Sequence, residues 1–209
     1  MLTIQAVLFD YGMVLSGPPN LAARRQMEAL LPSDANSFQQ AYWNHRDSYD
    51  RGHLSGVMYW NAVAKDLRQP LDEATLAGLL AAATAYWSQP NQPMIDWAAR
   101  LQKAGIKTGI LSNIGDAMEQ GLRARHSWLE AFDHHTFSHR LGIAKPDAAI
   151  YQHAVEGLGV PAAEILFLDD REENVQGARA AGMATLQYTR HEAFLQAMQA
   201  TGRGWLLAV

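Results

Sequence analysis

The sequence predicts an α/β domain with a mostly parallel sheet, into which a segment of helices is inserted. Short apolar runs that end in polar residues alternate with helical patterns between residues 94 and 200, which is typical of a parallel sheet with helical crossovers. One further apolar run stands alone near the amino terminus, and a long stretch with helical signals only separates it from the others. The 209 residues suffice for one sizeable domain with such an insertion.

The first strand is predicted within residues 6–15, where an unbroken apolar run ends abruptly at Asp10. A short run of this kind favours a strand buried in a parallel sheet. A chain that leaves such a strand places its next side chain at the carboxyl edge of the sheet, where open α/β folds bind ligands. Asp10 is therefore expected either to face a binding crevice or simply to cap a turn. Gly12 is expected to permit an unusual turn or a close approach of the backbone.

The residues after this strand are predicted to form helices only, as far as residue 88. Asp34, Ser55 and Asp72 are expected to begin successive helices, because each stands at the start of a helical pattern. Segments that contain Gly or Pro bound this stretch on both sides. We expect a helical cap with the following boundaries in chain order: core 1–15, cap 16–90, core 91–209.

The rest of the core is predicted to alternate between helices and strands. Gly105 and Gly182 follow two of the helical patterns and are expected to end those helices. The expected strands are 106–111, 135–138, 165–168 and 184–188, and the expected helices are 94–104, 116–123, 147–157, 172–181 and 191–200.

Composition excludes several classes of function. The formal net charge of −4 and the lack of any Lys/Arg block argue against a nucleic-acid partner. The absence of cysteine excludes disulfides, thiol nucleophiles and thiolate metal sites. The longest nearly apolar segment, residues 76–87, is too short to span a membrane, and the amino terminus does not resemble a secretory signal. We expect a soluble, cytoplasmic protein, and its oligomeric state is left open.

Polar residues follow three of the predicted strands, and the carboxyl ends of parallel strands lie at one edge of the sheet. These residue types support phosphoryl transfer. A carboxylate can act as a covalent nucleophile, Mg²⁺ and a lysine can offset the negative charge, and a hydroxyl and backbone N–H groups can bind phosphate oxygens. The converging residues are Asp10, Ser112, Asn113, Asp169 and Asp170, joined by Lys145 in a loop that precedes a helix.

Four short motifs in this order resemble those of the haloacid dehalogenase superfamily of hydrolases. The resemblance covers residues 5–15 and about 94–190, and it implies a three-layer Rossmann-like domain with a cap inserted after the first motif. The motifs are Phe9-Asp10-Tyr11-Gly12, Leu111-Ser112-Asn113, Lys145-Pro146, and the segment 168–175 that contains Asp169-Asp170 and Asn174.

The resemblance implies a role for each matching position. Asp10 would be the nucleophile, and Lys145 would neutralise charge between it and the phosphate. Ser112 and the backbone of Asn113 would hold the phosphate. Mg²⁺ would be bound by Asp10, by the carbonyl of Gly12 and by Asp170; whether Asp169 or Asn174 also contacts it is left open.

Gly12 departs from the pattern of most phosphatases of this superfamily, which have a second Asp there as general acid and base. General acid–base catalysis contributes roughly 10²–10⁴-fold, so the leaving group is expected to need little protonation. The sequence is similar to a subgroup that includes α-glucose-1-phosphate phosphatases. We therefore expect a Mg²⁺-dependent phosphatase that acts on a small sugar phosphate such as a glycosyl 1-phosphate.

Two alternatives remain open. A 2-haloacid dehalogenase would use Asp10 to attack carbon without a metal and also lacks the second Asp, but the adjacent pair Asp169-Asp170 is unlike such enzymes. A catalytically silent ligand-binding domain would have lost its activity with the change to Gly12, but the retention of Asp10, Lys145 and Asp170 together argues against it.

Several polar and aromatic residues of the cap are candidates for substrate contacts. At helical spacing Trp43 and Trp60 are expected in the cap core rather than at the site, and Arg46 and Arg51 on the surface. His45 or His53 is a candidate replacement for the missing acid and base.

Overall fold

The computed structural model describes residues 3–209, and its centre is a five-stranded sheet in which every ladder is parallel. The strand order is β3-β2-β1-β4-β5, which confirms the predicted α/β class. The strands are β1 (Ala6–Phe9), β2 (Lys107–Ser112), β3 (His134–Phe137), β4 (Ile165–Asp169) and β5 (Ala184–Gln187).

Eleven α-helices accompany the sheet within the described residues. Five of them lie between β1 and the first helix of the remaining core. In chain order they are α1 (Leu21–Leu30), α2 (Ala35–Asn44), α3 (Arg46–Asp50), α4 (Gly56–Asp66), α5 (Glu73–Trp87), α6 (Gln92–Lys103), α7 (Asp116–Arg125), α8 (Ser138–Leu141), α9 (Ala148–Leu158), α10 (Glu172–Ala180) and α11 (His191–Ala200).

Two helical layers cover the two faces of the sheet. Alternate residues of β1 point to opposite faces, so that Val7 and Phe9 pack on one side and Leu8 on the other. Helices α6 and α11 contribute to the first side, and α9 and α10 to the second. The result is a three-layer domain whose central strands β1 and β4 are buried on both faces, as their continuous apolar runs predict.

The inserted helices begin where the sequence indicates. The side chains of Asp34, Ser55 and Asp72 each accept a hydrogen bond from a backbone N–H in the first turn of the helix that follows. These bonds satisfy donors that the helix itself leaves unpaired. Polar residues at these positions therefore fix the ends of α2, α4 and α5.

The turn after β1 differs from the expectation for Gly12. This residue has φ −63° and ψ 130°, a conformation that any amino acid adopts. A Cβ built at position 12 would have the Asp10 Oδ2 atom as its nearest neighbour, at 3.7 Å. The left-handed residue is instead Met13, at φ 59°. The expected unusual turn is therefore present, but Met13, and not Gly12, adopts the left-handed conformation.

Helix α3 and the loop after it rest on the core. The Tyr49 hydroxyl accepts a hydrogen bond from the N–H of Met118 at 3.1 Å, and the Arg51 Nη1 lies 2.6 Å from the Asp147 carboxylate. Gly52 has φ 72°, and a Cβ there would collide with the carbonyl oxygen of His139. The insertion is thus held against the core by both polar bonds and close backbone packing.

A buried carboxylate supports the same region of the core. Glu119 in α7 is 5% exposed and accepts hydrogen bonds from Arg123, His139 and Arg140. Burial alone would raise the pKa of Glu119, but the bonds from its three partners lower it to about 2. The carboxylate therefore stays ionised and links α7 to α8.

None of the helices within residues 3–209 combines the length and the apolar character that crossing a bilayer requires.

Candidate active site

Asp10 lies immediately after β1, at the carboxyl edge of the sheet. Its N–H donates to the Leu168 carbonyl at 2.8 Å, which extends the ladder with β4 by one residue. The Oδ1 atom accepts a hydrogen bond from the Tyr11 N–H at 2.7 Å and lies 2.8 Å from the Lys145 Nζ. The side chain is buried but lines an open cavity. Asp10 therefore faces a crevice, the first of the two positions expected from the sequence, and does not simply cap a turn.

Lys145 is the buried cation of the site, with its side chain 2% exposed. Its Nζ donates to the Asp169 Oδ2 at 2.6 Å and to the Leu111 carbonyl at 2.9 Å, in addition to its pair with Asp10. An ammonium has three hydrogens to donate, and all three have acceptors here. The peptide bond between Lys145 and Pro146 is cis.

Asn113 fixes the backbone of this lysine. Its Oδ1 accepts from the Lys145 N–H at 2.8 Å, and its Nδ2 donates to the Lys145 carbonyl at 3.0 Å. Its neighbour Ser112, the last residue of β2, is buried and lines the same cavity. The side chain of Asn113 thus has a positioning role that the sequence does not reveal, whereas its backbone stays at the strand end with Ser112.

Three carboxylates meet at this edge. Oxygen atoms of Asp10, Asp169 and Asp170 lie within 4.8 Å of one another. The Asp169 carboxylate is fully used: Lys145, the N–H of Arg171 and the Nδ2 of Asn174 all donate to it. Asp170 is less buried and lines the cavity. Asp169 therefore holds the lysine in place, and Asp170 is the more accessible of the two.

The charges of the cluster do not balance. Burial raises the pKa of Asp10 to about 7; Lys145 acts to lower it, and Asp169 and Asp170 raise it further. Burial, followed by Asp169, also raises the pKa of Asp170. The pKa of Lys145 rises despite its burial, because Asp10 and Asp169 stabilise the ammonium. Three carboxylates around one ammonium are a suitable donor set for a divalent cation.

A second observation agrees with an added cation. The Oδ1 atom of Asn174 is buried and accepts no hydrogen bond from any of the residues 3–209, although Asn174 lines the cavity. Buried polar atoms without partners are rare in native proteins. A hydrated metal ion would place a water donor within this region, so the residues present fit Mg²⁺.

The cavity above these residues has a volume of about 790 Å³. All the site residues expected from the sequence line it, namely Asp10, Gly12, Ser112, Asn113, Lys145 and Asp170. Such a volume falls within the range of small-molecule sites, roughly 300–1,000 Å³. It leaves room for a group of some size beside a phosphate.

Residues of the inserted helices form the far wall of the cavity. Arg46 is not the surface charge expected from the sequence: its side chain is only 13% exposed, and its Nε lies 3.0 and 2.9 Å from the two oxygens of Asp50. Its guanidinium also lies over the Tyr49 ring. The sequence gives the spacing of four residues that allows the pair, but it does not show that the pair faces a cavity.

The remaining cap residues divide between core and cavity. Trp60 is fully buried, as expected, but Trp43 is 47% exposed and lines the cavity, so its placement in the cap core is wrong. His45 bonds to Asp66 at 2.9 Å. Neither His45 nor His53 is among the described residues that line the cavity, which argues against either of them as the missing acid and base.

Comparison with known proteins places this geometry in a family. The model of the haloacid dehalogenase-like hydrolases matches residues 16–182. A sesquiterpene phosphatase of Aspergillus oryzae is 33% identical over 188 residues, which are 90% of this chain and 91% of that protein. The bifunctional epoxide hydrolase 2 of Sus scrofa is 38% identical over 101 residues. That match takes in 46% of this chain and spans only 18% of the longer enzyme.

A solved structure has the same fold. The magnesium complex of a haloacid dehalogenase family enzyme from Bacteroides thetaiotaomicron superposes with a TM-score of 0.78 at 17% identity, and the match covers 94% of this chain and 98% of that one. The agreement extends over the sheet, its flanking helices and the insertion. By its sequence family and its fold, the chain belongs to the haloacid dehalogenase-like hydrolases.

Proposed function

We propose that the protein is a Mg²⁺-dependent hydrolase of phosphate monoesters that forms an aspartyl-phosphate on Asp10, with a small sugar phosphate such as a glycosyl 1-phosphate as substrate. The observation that carries the proposal is the arrangement on the cavity floor. A buried carboxylate is held 2.8 Å from a lysine that is itself fixed by Asp169 and Asn113. The phosphatase named among its relatives supports the same class of reaction.

Mg²⁺ would be held by Asp10, by Asp170 and by the backbone carbonyl of Gly12. The surplus of carboxylates and the unpartnered Asn174 Oδ1 support this assignment, as does the magnesium complex of the structural relative. When bound, the ion supplies positive charge that offsets the repulsion between the carboxylates and a phosphate dianion. Asp169 is excluded as a direct ligand in this proposal, since its oxygens already have donors.

The first step is attack by an oxygen of Asp10 on phosphorus. The bond between phosphorus and the ester oxygen breaks, and the alkoxide leaves and takes a proton from water. The Oδ1 atom already carries the bonds from Tyr11 and Lys145, which leaves Oδ2 as the attacking oxygen. Lys145 favours the ionised form of Asp10 and orients it, because its Nζ is itself held by Asp169 and by the Leu111 carbonyl.

The second step returns the enzyme to its starting state. Water attacks the phosphorus of the aspartyl-phosphate, the bond from phosphorus to the Asp10 oxygen breaks, and inorganic phosphate leaves. The proton that this water loses neutralises the hydroxide left by the first step. The Ser112 hydroxyl and the backbone N–H of Asn113, both at the carboxyl end of β2, would bind phosphate oxygens in both steps. Each turnover thus consumes one water and releases the alcohol and phosphate.

The lack of a carboxyl group at position 12 favours esters whose leaving group is stable as an anion. An anomeric hydroxyl is more acidic than an ordinary alcohol, so a glycosyl 1-phosphate needs less protonation in the first step. Within residues 3–209, no histidine is among the residues that line the cavity, so we assign no imidazole as a substitute acid. This is the reason for proposing a glycosyl phosphate over a phosphate on a primary alcohol.

The domain boundaries expected from the sequence belong to this proposal: a cap at 16–90 over a core of 1–15 and 91–209. Two observations support them. The described chain between β1 and α6 forms helices and no strand. An isolated backbone bridge joins Ser16 to Pro90, where the chain enters and leaves the insertion. The cap would exclude water from the aspartyl-phosphate until hydrolysis.

The experiment is phosphate release from p-nitrophenyl phosphate, which needs almost no protonation of its leaving group. We expect turnover with Mg²⁺, loss of turnover with a chelator, and loss in Asp10→Asn. Sugar 1-phosphates and primary alkyl phosphates are then compared, and equal rates for the two would refute the glycosyl preference. Release of chloride from 2-chloropropionate without metal, and no phosphate release, would identify a dehalogenase. Saturable binding of a phosphate ester without turnover would identify a silent ligand-binding domain.

A further inference from the structure

The far wall of the cavity consists of cap residues to which the proposed function assigns no role. The phosphate must lie on the floor, next to Asp10, so this wall faces the leaving group. The cap residues of this wall are Trp43, Arg46, Asp47, Asp50, Arg51 and Trp87.

The cations of this wall are all paired. Arg46 is bound through its Nε to both oxygens of Asp50 and through its Nη1 to the Tyr42 hydroxyl. Arg51 lies 3.0 Å from the Asp47 carboxylate and 2.6 Å from that of Asp147. Each guanidinium is already neutralised by a carboxylate, so a second anion on the substrate would find no surplus of positive charge here. The Arg46 pair is largely buried, with side chains 13% and 14% exposed.

The other cations of the cavity offer no alternative within the part of the chain that the structure describes. Lys145 has all three hydrogens engaged by protein acceptors, and Arg171 is paired with Glu173 at the rim. Five carboxylates and four cationic side chains line the cavity. Its electrostatic surplus is therefore negative, and a bound Mg²⁺ would be needed for the phosphate itself.

The uncharged part of the wall is aromatic. Trp43 is 47% exposed and packs edge-on against the buried Tyr42, with ring centroids 5.2 Å apart. Trp87, at the end of α5, lines the same cavity. Of the large exposed hydrophobic side chains in residues 3–209, Trp43 alone lines this cavity. A half-exposed indole that lines a cavity is a surface on which an apolar face stacks.

We infer that the cap wall is the subsite for an uncharged leaving group with an apolar face, that Trp43 is its stacking surface, and that a leaving group with a second anion is rejected. The inference rests on the proposed function and deepens it. A pyranose, with the C–H bonds of its ring, and a flat apolar alcohol share this chemistry. Bisphosphates and phosphorylated carboxylates do not.

The test measures kcat/KM with Mg²⁺ for five esters. Acetyl phosphate has a very small leaving group, so its kcat/KM measures the reaction at Asp10 without contacts to the cap wall. Phenyl phosphate and α-glucose 1-phosphate represent the apolar and the pyranose source. Two phenyl esters that differ only in charge, 4-carbamoylphenyl phosphate and 4-carboxyphenyl phosphate, isolate the effect of a second anion. We expect the carboxylate to lower kcat/KM at least about tenfold relative to the carboxamide, chiefly through KM.

The role of Trp43 is tested by its substitution. In Trp43→Ala the ratio of kcat/KM for phenyl phosphate to that for acetyl phosphate is expected to fall about tenfold through KM, and Trp43→Phe should restore most of it. Trp205→Ala is the matched control, because Trp205 is 43% exposed but is not among the residues that line the cavity. It should keep the wild-type ratio. A larger fall for phenyl phosphate than for glucose 1-phosphate identifies an apolar leaving group, and the reverse identifies a pyranose.

Three outcomes decide the matter. Equal kcat/KM for the carboxylate and the carboxamide would overturn the rejection of a second anion. An unchanged ratio in Trp43→Ala for both phenyl phosphate and glucose 1-phosphate would overturn the stacking role. If acetyl phosphate itself is not hydrolysed, the proposed phosphatase fails, and the subsite falls with it. Hydrolysis of acetyl phosphate that depends on Asp10 keeps the two failures distinct.

Discussion

Replacing Gly12 with aspartate should give the site the general acid that it lacks. The structure presents no steric obstacle. The backbone at position 12, φ −63° and ψ 130°, suits any residue, and the nearest atom to an added Cβ is Asp10 Oδ2 at 3.7 Å. A carboxyl group there would lie beside the attacking oxygen, within reach of the ester oxygen of a bound substrate.

The magnitude follows from what proton transfer contributes. A positioned general acid accelerates a reaction by roughly 10²–10⁴-fold, and only when the leaving group needs the proton. We therefore expect Gly12→Asp to raise the ratio of kcat/KM for n-propyl phosphate to that for p-nitrophenyl phosphate by about 10- to 100-fold. The expected gain does not exceed the lower limit of that range, because the cavity has not been shaped around the new carboxyl group.

The assay is phosphate release from both esters at saturating Mg²⁺, with Gly12→Asn as the control of equal size that cannot transfer a proton. Thermal unfolding of each variant establishes that the site is intact. The reasoning is refuted if the aspartate and asparagine variants give the same ratio. It is also refuted if the wild-type protein already hydrolyses both esters equally well, because another residue would then supply the proton.

Three further substitutions test the floor, the core and the cap contact. Lys145→Met should lower phosphate release from p-nitrophenyl phosphate at least about 100-fold, because Asp10 loses its fixed partner; a loss of less than tenfold would contradict the role. Glu119→Gln should cost about 2 kcal/mol in urea unfolding at neutral pH. The pKa of Glu119 is about 2 in the folded protein and about 4.3 in the unfolded chain. The stability that this group contributes should therefore be complete above pH ~4.3 and decline as the pH falls toward 2. The Gln variant should lack this decline. Gly52→Ala should lower the free energy of unfolding by about 2–4 kcal/mol, because both the positive φ and the His139 carbonyl oppose a Cβ. Gly105→Ala is the control: this residue has φ 80° but open space around it, so the loss should be only about 1–2 kcal/mol. Equal losses would show that the contact with His139 is not tight.

Much of the fold is readable from the sequence because its local signals agree with its tertiary structure. The runs that end at Asp10 and Asp169 are apolar without alternation, as strands buried on both faces must be. Asp34 and Ser55 begin helices because their side chains satisfy free N–H groups of the first turn. The strand ends shift by a residue or two, since pairing with neighbours decides where a strand stops.

The errors fall where distant parts of the chain meet. Arg46 and Trp43 were assigned to the surface and to the cap core, and both line the cavity instead. A helical pattern shows which residues share a face, but it does not show whether that face meets the core, the solvent or a cavity. The turn after β1 differs for another reason: glycine indicates where an unusual turn can form, but the positive φ of this turn belongs to Met13.

By itself the sequence determined the α/β class, the all-helical insertion and the set of polar residues that meet at one edge of the sheet. These follow from periodicity and from the rule that parallel strands end on the same side. Only the tertiary structure decided how the charged groups are paired. The Lys145 ammonium contacts protein acceptors only, Asp169 holds this lysine while Asp170 stays accessible, and the arginines of the cap wall are paired with carboxylates. Such partners come from segments far apart in the chain, so no local pattern encodes them; they depend on how the cap and the core pack together.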